Sequence, residues 1–136
     1  MIPSKLYKKI VELVPILCVD VVLTYKGQYV LVKRDNEPLK GVWWVIGGRS
    51  FKNEGVKKTA LRKVKEETGL RINNLRFSGI YEDSYKRSAF GVPTHTMSVV
   101  FTADVVDFKP KIDKQSVGIK LSTTLPNRFL THYEKV

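Results

Sequence analysis

Two periods of hydrophobic and polar positions run along this chain and divide it into helices and strands. Leu6, Ile10, Leu13 and Val14 fall on one helical face behind Ser4, a favourable N-cap, which predicts a short amphipathic helix ending before Pro15. Residues 16–24 are rich in β-branched side chains and predict a buried strand interrupted by Asp20. Lys26-Gly27 turns the chain, and residues 29–34 return as a second strand. A polar loop with Pro38 follows over 35–41. Val42-Trp43-Trp44-Val45-Ile46 then predicts a short apolar strand running into a turn at Gly47-Gly48. Residues 54–68 contain no proline, and Val56, Ala60, Leu61 and Val64 recur at helical spacing. They predict a central amphipathic helix stopped by Gly69. Residues 76–81 and 94–106 predict further strands joined by a polar, mobile loop over 82–93. Residues 108–118 read as irregular, 119–121 as a last short strand, and 125–133 as a terminal helix opened by Pro126. Strands around one central helix, with helices at both ends, predict an α/β fold with a mixed sheet packed between helices.

Composition narrows the class. A length of 136 residues, 43% hydrophobic and 27% charged, fits one globular domain spanning 1–136. The net charge of +11 favours polyanionic partners such as nucleotides, nucleic acid or an anionic surface; a lysine-rich solvated surface accounts for it equally well. Cys18 is the single cysteine, which excludes an internal disulfide and fits a reducing compartment; its apolar neighbours mark it as a strand residue rather than a nucleophile. No apolar run reaches membrane-spanning length, and Lys5, Lys8, Lys9 and Glu12 among the first apolar residues do not make a signal peptide. These features predict a cytoplasmic protein with no membrane partner.

The chemistry concentrates between Gly47 and Leu70. Five residues separate Gly48 from Glu54, seven separate Glu54 from Arg62, and Glu66-Glu67-Thr68-Gly69-Leu70 closes the stretch. On the helical wheel Glu67 lies beside Val64, Ala60 and Lys63, while Arg62 and Glu66 are spaced to pair. Carboxylates on such a loop–helix suit Mg²⁺, which takes one or two of them and keeps its other positions for water and phosphate. A surface helix of solvated Glu–Lys pairs is the bland alternative. The full gap pattern outweighs it, because it resembles the Nudix hydrolase signature G-x5-E-x7-R-E-U-x-E-E-x-G-U at every specified position but one. Lys63 stands where that signature has its first glutamate after the arginine.

The resemblance extends further. Pro15 through Asp20, Lys33-Arg34, Gly41-Val42-Trp43-Trp44 before Gly47-Gly48-Arg49, and Thr94-His95 look like the GDP-mannose mannosyl hydrolase branch of that family. The branch also lacks the acidic residue at position 63. The resemblance implies an α/β/α sandwich and Mg²⁺-dependent hydrolysis (Mn²⁺ being the alternative ion) of a nucleoside-diphosphate sugar, with water attacking the anomeric carbon. It implies Glu67 as principal metal ligand, with the Gly47 carbonyl and Gln115 completing the set. Arg34 and Arg49 would hold the diphosphate, Asp20 would lie near the sugar, and Arg62 would support Glu66. Homodimers are common in that branch. Two departures stand out: Ser116 and Asp83 occupy positions where the branch has histidines, the first of them its general base. A serine hydroxyl cannot take water's proton as imidazole does, which leaves Asp83, Glu82 or Glu66 as alternatives. His95 reads as a satisfied structural histidine in a buried strand, and His132 as exposed. A pyrophosphatase cleaving a P–O bond of ADP-ribose, a dinucleotide or a nucleoside triphosphate is the second reading, weakened by Lys63. A non-catalytic nucleotide- or RNA-binding module is the third.

Overall fold

The computed structural model describes residues 2–111 and 118–136. Its elements run α1 (Ser4–Leu13), β1 (Ile16–Tyr25), β2 (Gln28–Lys33), β3 (Trp43–Trp44), β4 (Ile46–Arg49), α2 (Val56–Thr68), β5 (Ile72–Tyr85), β6 (Thr94–Val105), β7 (Ile119–Ser122), α3 (Asn127–His132) and β8 (Tyr133–Lys135). The strands form one mixed sheet in the order β3-β2-β1-β6-β5-β8, with β4 paired to β1 and β7 to β2. β1 and β6 run parallel over Ile16–Thr24; the other pairs are antiparallel. This is the mixed α/β arrangement that the hydrophobic pattern predicts.

Strand alternation divides the core in two. Val19, Val21 and Leu23 of β1 face α2 and pack with Ile46, Ala60, Val64, Phe101 and Ala103. Val22 and Val100 face the other way, toward Trp44, Tyr81 and Phe129, where α3 docks. The same alternation turns Asp20 toward the α3 side, between two residues aimed at α2.

Several elements depart from the sequence pattern. Ser4 is the first helical residue rather than the cap, which falls at Pro3 without a side-chain hydrogen bond. Tyr7 and Val11 turn inward from α1, whereas Leu6 and Leu13 of the expected apolar face lie in solvent, Leu13 at 76% exposure. Leu61 is likewise exposed, and Thr59 takes a buried place on α2. The apolar run 42–46 splits in two because Trp43–Trp44 pairs with β2 while Ile46 onward crosses to β1. Gly47 and Gly48 do not form a turn: they lie inside β4, opposite Asp20 and Val19. β5 runs from Ile72 to Tyr85, longer than 76–81, with register shifts at Asn73/Arg76 and Phe77/Gly79; Glu82 to Tyr85 is therefore strand, not loop. The terminal helix stops at His132, and β8 adds to the free edge of β5.

Candidate active site

Two cavities share Arg34, Asn36, Val45, Gly47 and Gly48 in their walls. The smaller, about 340 Å³, reaches Tyr7, Cys18, Asp20, Tyr81, Tyr85 and Ser98. The larger, about 510 Å³, is lined by Lys33, Asp35, Lys63, Glu66 and Glu67. Arg34, Gly47, Arg49, Glu66, Glu67 and Asp20, all singled out from the sequence, are thus brought to one place. Gln115 and Ser116 lie outside the described residues.

The glycine pair is there for close approach. A Cβ on Gly47 would lie 2.2 Å from Asp20 Oδ1, and one on Gly48 would lie 2.7 Å from Lys63 Cε. At Gly47 the Val19 carbonyl oxygen would also lie 2.6 Å away, so glycine is required there; at Gly48 the neighbour is the flexible end of Lys63, which packs over the bare Cα. The Gly47 N–H donates to Glu67 Oε2 at 3.3 Å, which ties the end of α2 to the strand.

Glu54 fixes the start of the helix. It accepts from Arg62 Nε at 2.8 Å, Arg62 Nη2 at 3.0 Å, Thr59 Oγ1 at 2.8 Å and the Phe51 N–H at 3.2 Å. These bonds, Arg62 first, hold its carboxyl down at about 2. Arg62 also donates to the Arg49 carbonyl at 3.0 Å and to Glu66 at 3.4 Å. Its main partner is therefore Glu54 rather than Glu66. Two guanidiniums approach the Phe51 ring, Arg62 at 3.9 Å and Arg49 at 4.8 Å; Arg49 has Tyr7 as a second ring at 4.7 Å. Arg34 donates from Nε to the Pro38 carbonyl at 2.7 Å, which orients its guanidinium in the wall common to both cavities.

Burial dominates the electrostatics. It pushes the Asp20 carboxyl up to about 7, with Glu67 adding to the rise and the Ser98 hydrogen bond and Arg34 opposing it. Burial also raises the Glu67 carboxyl, against Lys63, the Gly47 N–H and Arg34. Cys18, raised by burial and Asp20 to about 12, stays a thiol and not a nucleophile at neutral pH. Glu66 and Glu67 present hard oxygen donors to a cavity that also carries cationic side chains. That donor set fits Mg²⁺ held by few protein groups, with phosphate and water supplying the rest.

Of the alternative bases, Asp83 is already committed. It is buried, accepts from Arg128 Nε at 2.7 Å, Arg128 Nη2 at 2.9 Å and the Tyr81 hydroxyl at 2.5 Å, and lines neither cavity. Burial alone would raise its pKa; Arg128 and Tyr81 override that and hold it low. Glu82 and His95 belong to the opposite strand faces from Tyr81 and Thr94, and they pair with each other at 2.6 Å. His95 is satisfied, as expected, but half-exposed rather than buried. No histidine lines either cavity among the described residues. Tyr81 and Tyr85 escape the sequence pattern: with Asp83 they alternate along the end of β5, a period-two signal hidden by the polar residues between them.

The family model for the NUDIX domain matches residues 15–120. The chain belongs to the Nudix family. Nudix hydrolases generally use divalent cations, in keeping with the oxygen donors at Glu66 and Glu67. This Nudix domain is 32% identical over 122 residues to a low-salt glycan biosynthesis protein of Haloferax volcanii, covering 88% of the chain and 78% of that protein. It is 35% identical over 92 residues to an ADP-ribose pyrophosphatase of Methanocaldococcus jannaschii, covering 68% of the chain and 52% of that protein, so it spans about half of that relative's length. In fold it resembles the Nudix domain of Shewanella oneidensis NrtR, solved with ADP-ribose, at a TM-score of 0.67 and 22% identity, covering 96% of this chain and 94% of that one. No helix among the described residues is long and apolar enough to cross a membrane.

Proposed function

We propose that this Nudix domain hydrolyses a nucleoside-diphosphate sugar, GDP-mannose or a close analogue, to the free sugar and the nucleoside diphosphate. The observation that carries the reading is the pair of cavities joined at Arg34, Gly47 and Gly48. A diphosphate linked to a sugar is a two-part ligand with a charged middle. The larger cavity, with Glu66, Glu67, Lys33 and Lys63, suits the diphosphate and its cation. The smaller one offers Asp20, Ser98 and two tyrosine hydroxyls, groups suited to sugar hydroxyls.

In this reading Glu67 and Gly47 would hold Mg²⁺, together with Gln115. The ion would neutralise charge on the diphosphate oxygens. Arg34, in the wall common to both cavities, would offer its guanidinium to the same oxygens, and Arg49, which lines the smaller cavity, would meet the diphosphate from that side. Water's oxygen bonds to the anomeric carbon, the carbon–oxygen bond to the β-phosphate breaks, and its electron pair leaves with the nucleoside diphosphate. Glu66, half-exposed in the wall of the larger cavity, takes the proton that water loses. Stabilising the leaving group carries most of the rate, so no histidine is required.

A second reading has specific support. The Methanocaldococcus relative is an ADP-ribose pyrophosphatase, and ADP-ribose is also a nucleoside diphosphate joined to a sugar. There water would attack phosphorus and a P–O bond would break. Hydrolysis in ¹⁸O-water separates the two. With GDP-mannose and Mg²⁺, label should enter the free sugar and leave GDP unlabelled. Label in GMP or mannose 1-phosphate, or turnover confined to ADP-ribose, would replace the first reading by the second.

A further inference from the structure

Lys63 is placed with more care than a surface lysine. It lies one helical turn before Glu67 on α2, and its side chain is only 19% exposed. The end of its stem crosses β4 at Gly48: Cε, Cδ and Nζ lie 2.7, 3.0 and 3.2 Å from the point a Cβ at residue 48 would occupy. The ammonium then reaches Glu66 Oε2 at 3.3 Å and Glu67 Oε1 at 3.7 Å, inside the wall of the larger cavity. A glycine on one side and two carboxylates on the other therefore hold a positive charge where the Nudix signature has a glutamate.

We infer that the Lys63 ammonium acts as a built-in counter-cation for the substrate's diphosphate and takes the place of a second divalent ion. This deepens the function proposed above and rests on the larger cavity being the diphosphate site. The effect is electrostatic. An ammonium between Glu66 and Glu67 offsets part of the negative charge that would attract a second ion, and it repels that ion directly. The same charge attracts phosphate oxygens, and a partly buried ammonium needs little reorganisation to meet them. Lys33, Arg34 and Lys63 line the cavity alternately with Asp35, Glu66 and Glu67, so the diphosphate meets cations interleaved with carboxylates, and Lys63 is the one held between two of them. A lysine suits this role as a compact point charge with three donors on a flexible stem. The cost is at Glu67, whose carboxylate must be shared between the ammonium and the metal.

Two measurements test this without turnover, so failure of the nucleotide-sugar reading does not decide them. The first counts ions by the electron paramagnetic resonance signal of free Mn²⁺ titrated with protein. Wild type should bind one Mn²⁺ per chain, and Lys63→Glu two. The second is calorimetry with inorganic pyrophosphate in the presence of chelator. Wild type should bind measurably, Lys63→Arg should keep that binding, and Lys63→Met should lose about tenfold or more in affinity, as expected for one charge-assisted contact. Thermal melts identify which variants are folded. Two tight Mn²⁺ ions in wild type would overturn the inference, as would metal-free pyrophosphate affinity unchanged in folded Lys63→Met. If Lys63→Met does not fold, the wild-type ion count and the Lys63→Arg affinity decide the matter.

Discussion

Replacing Glu67 with glutamine keeps an acceptor for the Gly47 N–H and removes one negative charge from the larger cavity. Glu67→Gln should therefore fold normally, lose Mn²⁺ binding by the same resonance titration, and lose hydrolysis by about a hundredfold or more. Near wild-type turnover would remove Glu67 from the proposed ligand set. Glu54 bears on stability rather than on chemistry. Its carboxyl sits at about 2 in the folded chain against a usual 4.5. A depressed folded pKa means stability that is fully present above about 4.5 and lost as pH falls through about 2. Glu54→Gln should thus melt below wild type at pH 7. The gap should narrow below pH 4.5 and close near pH 2, and a gap independent of pH would show that the Arg62 contact does not depend on the charge.

At the scale of elements, α3 forms the lid of the second core. Phe129 is fully buried, stacks on Tyr81 at 5.0 Å and Tyr133 at 5.3 Å, and meets Trp44 edge-on at 5.9 Å. Phe129→Ala should cost about 3–5 kcal/mol in denaturant unfolding. Because Tyr81 lines the smaller cavity, it should also raise KM more than it lowers kcat. A loss below about 1 kcal/mol would mean that α3 does not seal this core. This region was the least legible in the sequence, and for a physical reason. β8 is short and polar, and it pairs with β5 through the backbone, which leaves no mark in residue type. The end of β5 carries Glu82 and Ser84 on its outer face and Asp83 buried against Arg128, so its polarity imitates a loop. By contrast β1 and α2 announced themselves through their periods, and the gap pattern from Gly48 to Glu67 located most of the site. The pattern could not say that Gly47-Gly48 is strand, because closeness to Asp20 and Lys63 is a tertiary fact. Nor could it separate the inward face of α1 from the outward one: Val11 is buried and Tyr7 half-buried, while Leu6 and Leu13 lie in solvent.

Charge acts at the scale of the whole molecule. The chain carries 24 lysines and arginines against 13 aspartates and glutamates, a net of +11. Basic residues occupy α1 at Lys5, Lys8 and Lys9 and α2 at Lys57, Lys58 and Lys65, far apart in sequence. A field of this sign draws in any dianionic substrate and equally any nucleic acid, so charge alone does not separate an enzyme from an RNA-binding module. Ionic strength does. Steering acts on encounter, whereas the contacts proposed for Glu67, Arg34 and Arg49 would act within the bound complex. Salt shortens the screening length from about 10 Å at 0.1 M to about 3 Å at 1 M, which weakens long-range attraction but not contacts inside a cavity. For a nucleoside-diphosphate sugar, kcat/KM should fall roughly tenfold between dilute buffer and about 0.5 M salt, while kcat stays nearly level. Short RNA added at low salt should inhibit by raising KM, and the inhibition should vanish over the same salt range. RNA affinity that survives high salt, together with hydrolysis that never rises above background, would instead favour a binding module. A kcat/KM independent of salt would show that the basic surface takes no part in substrate capture.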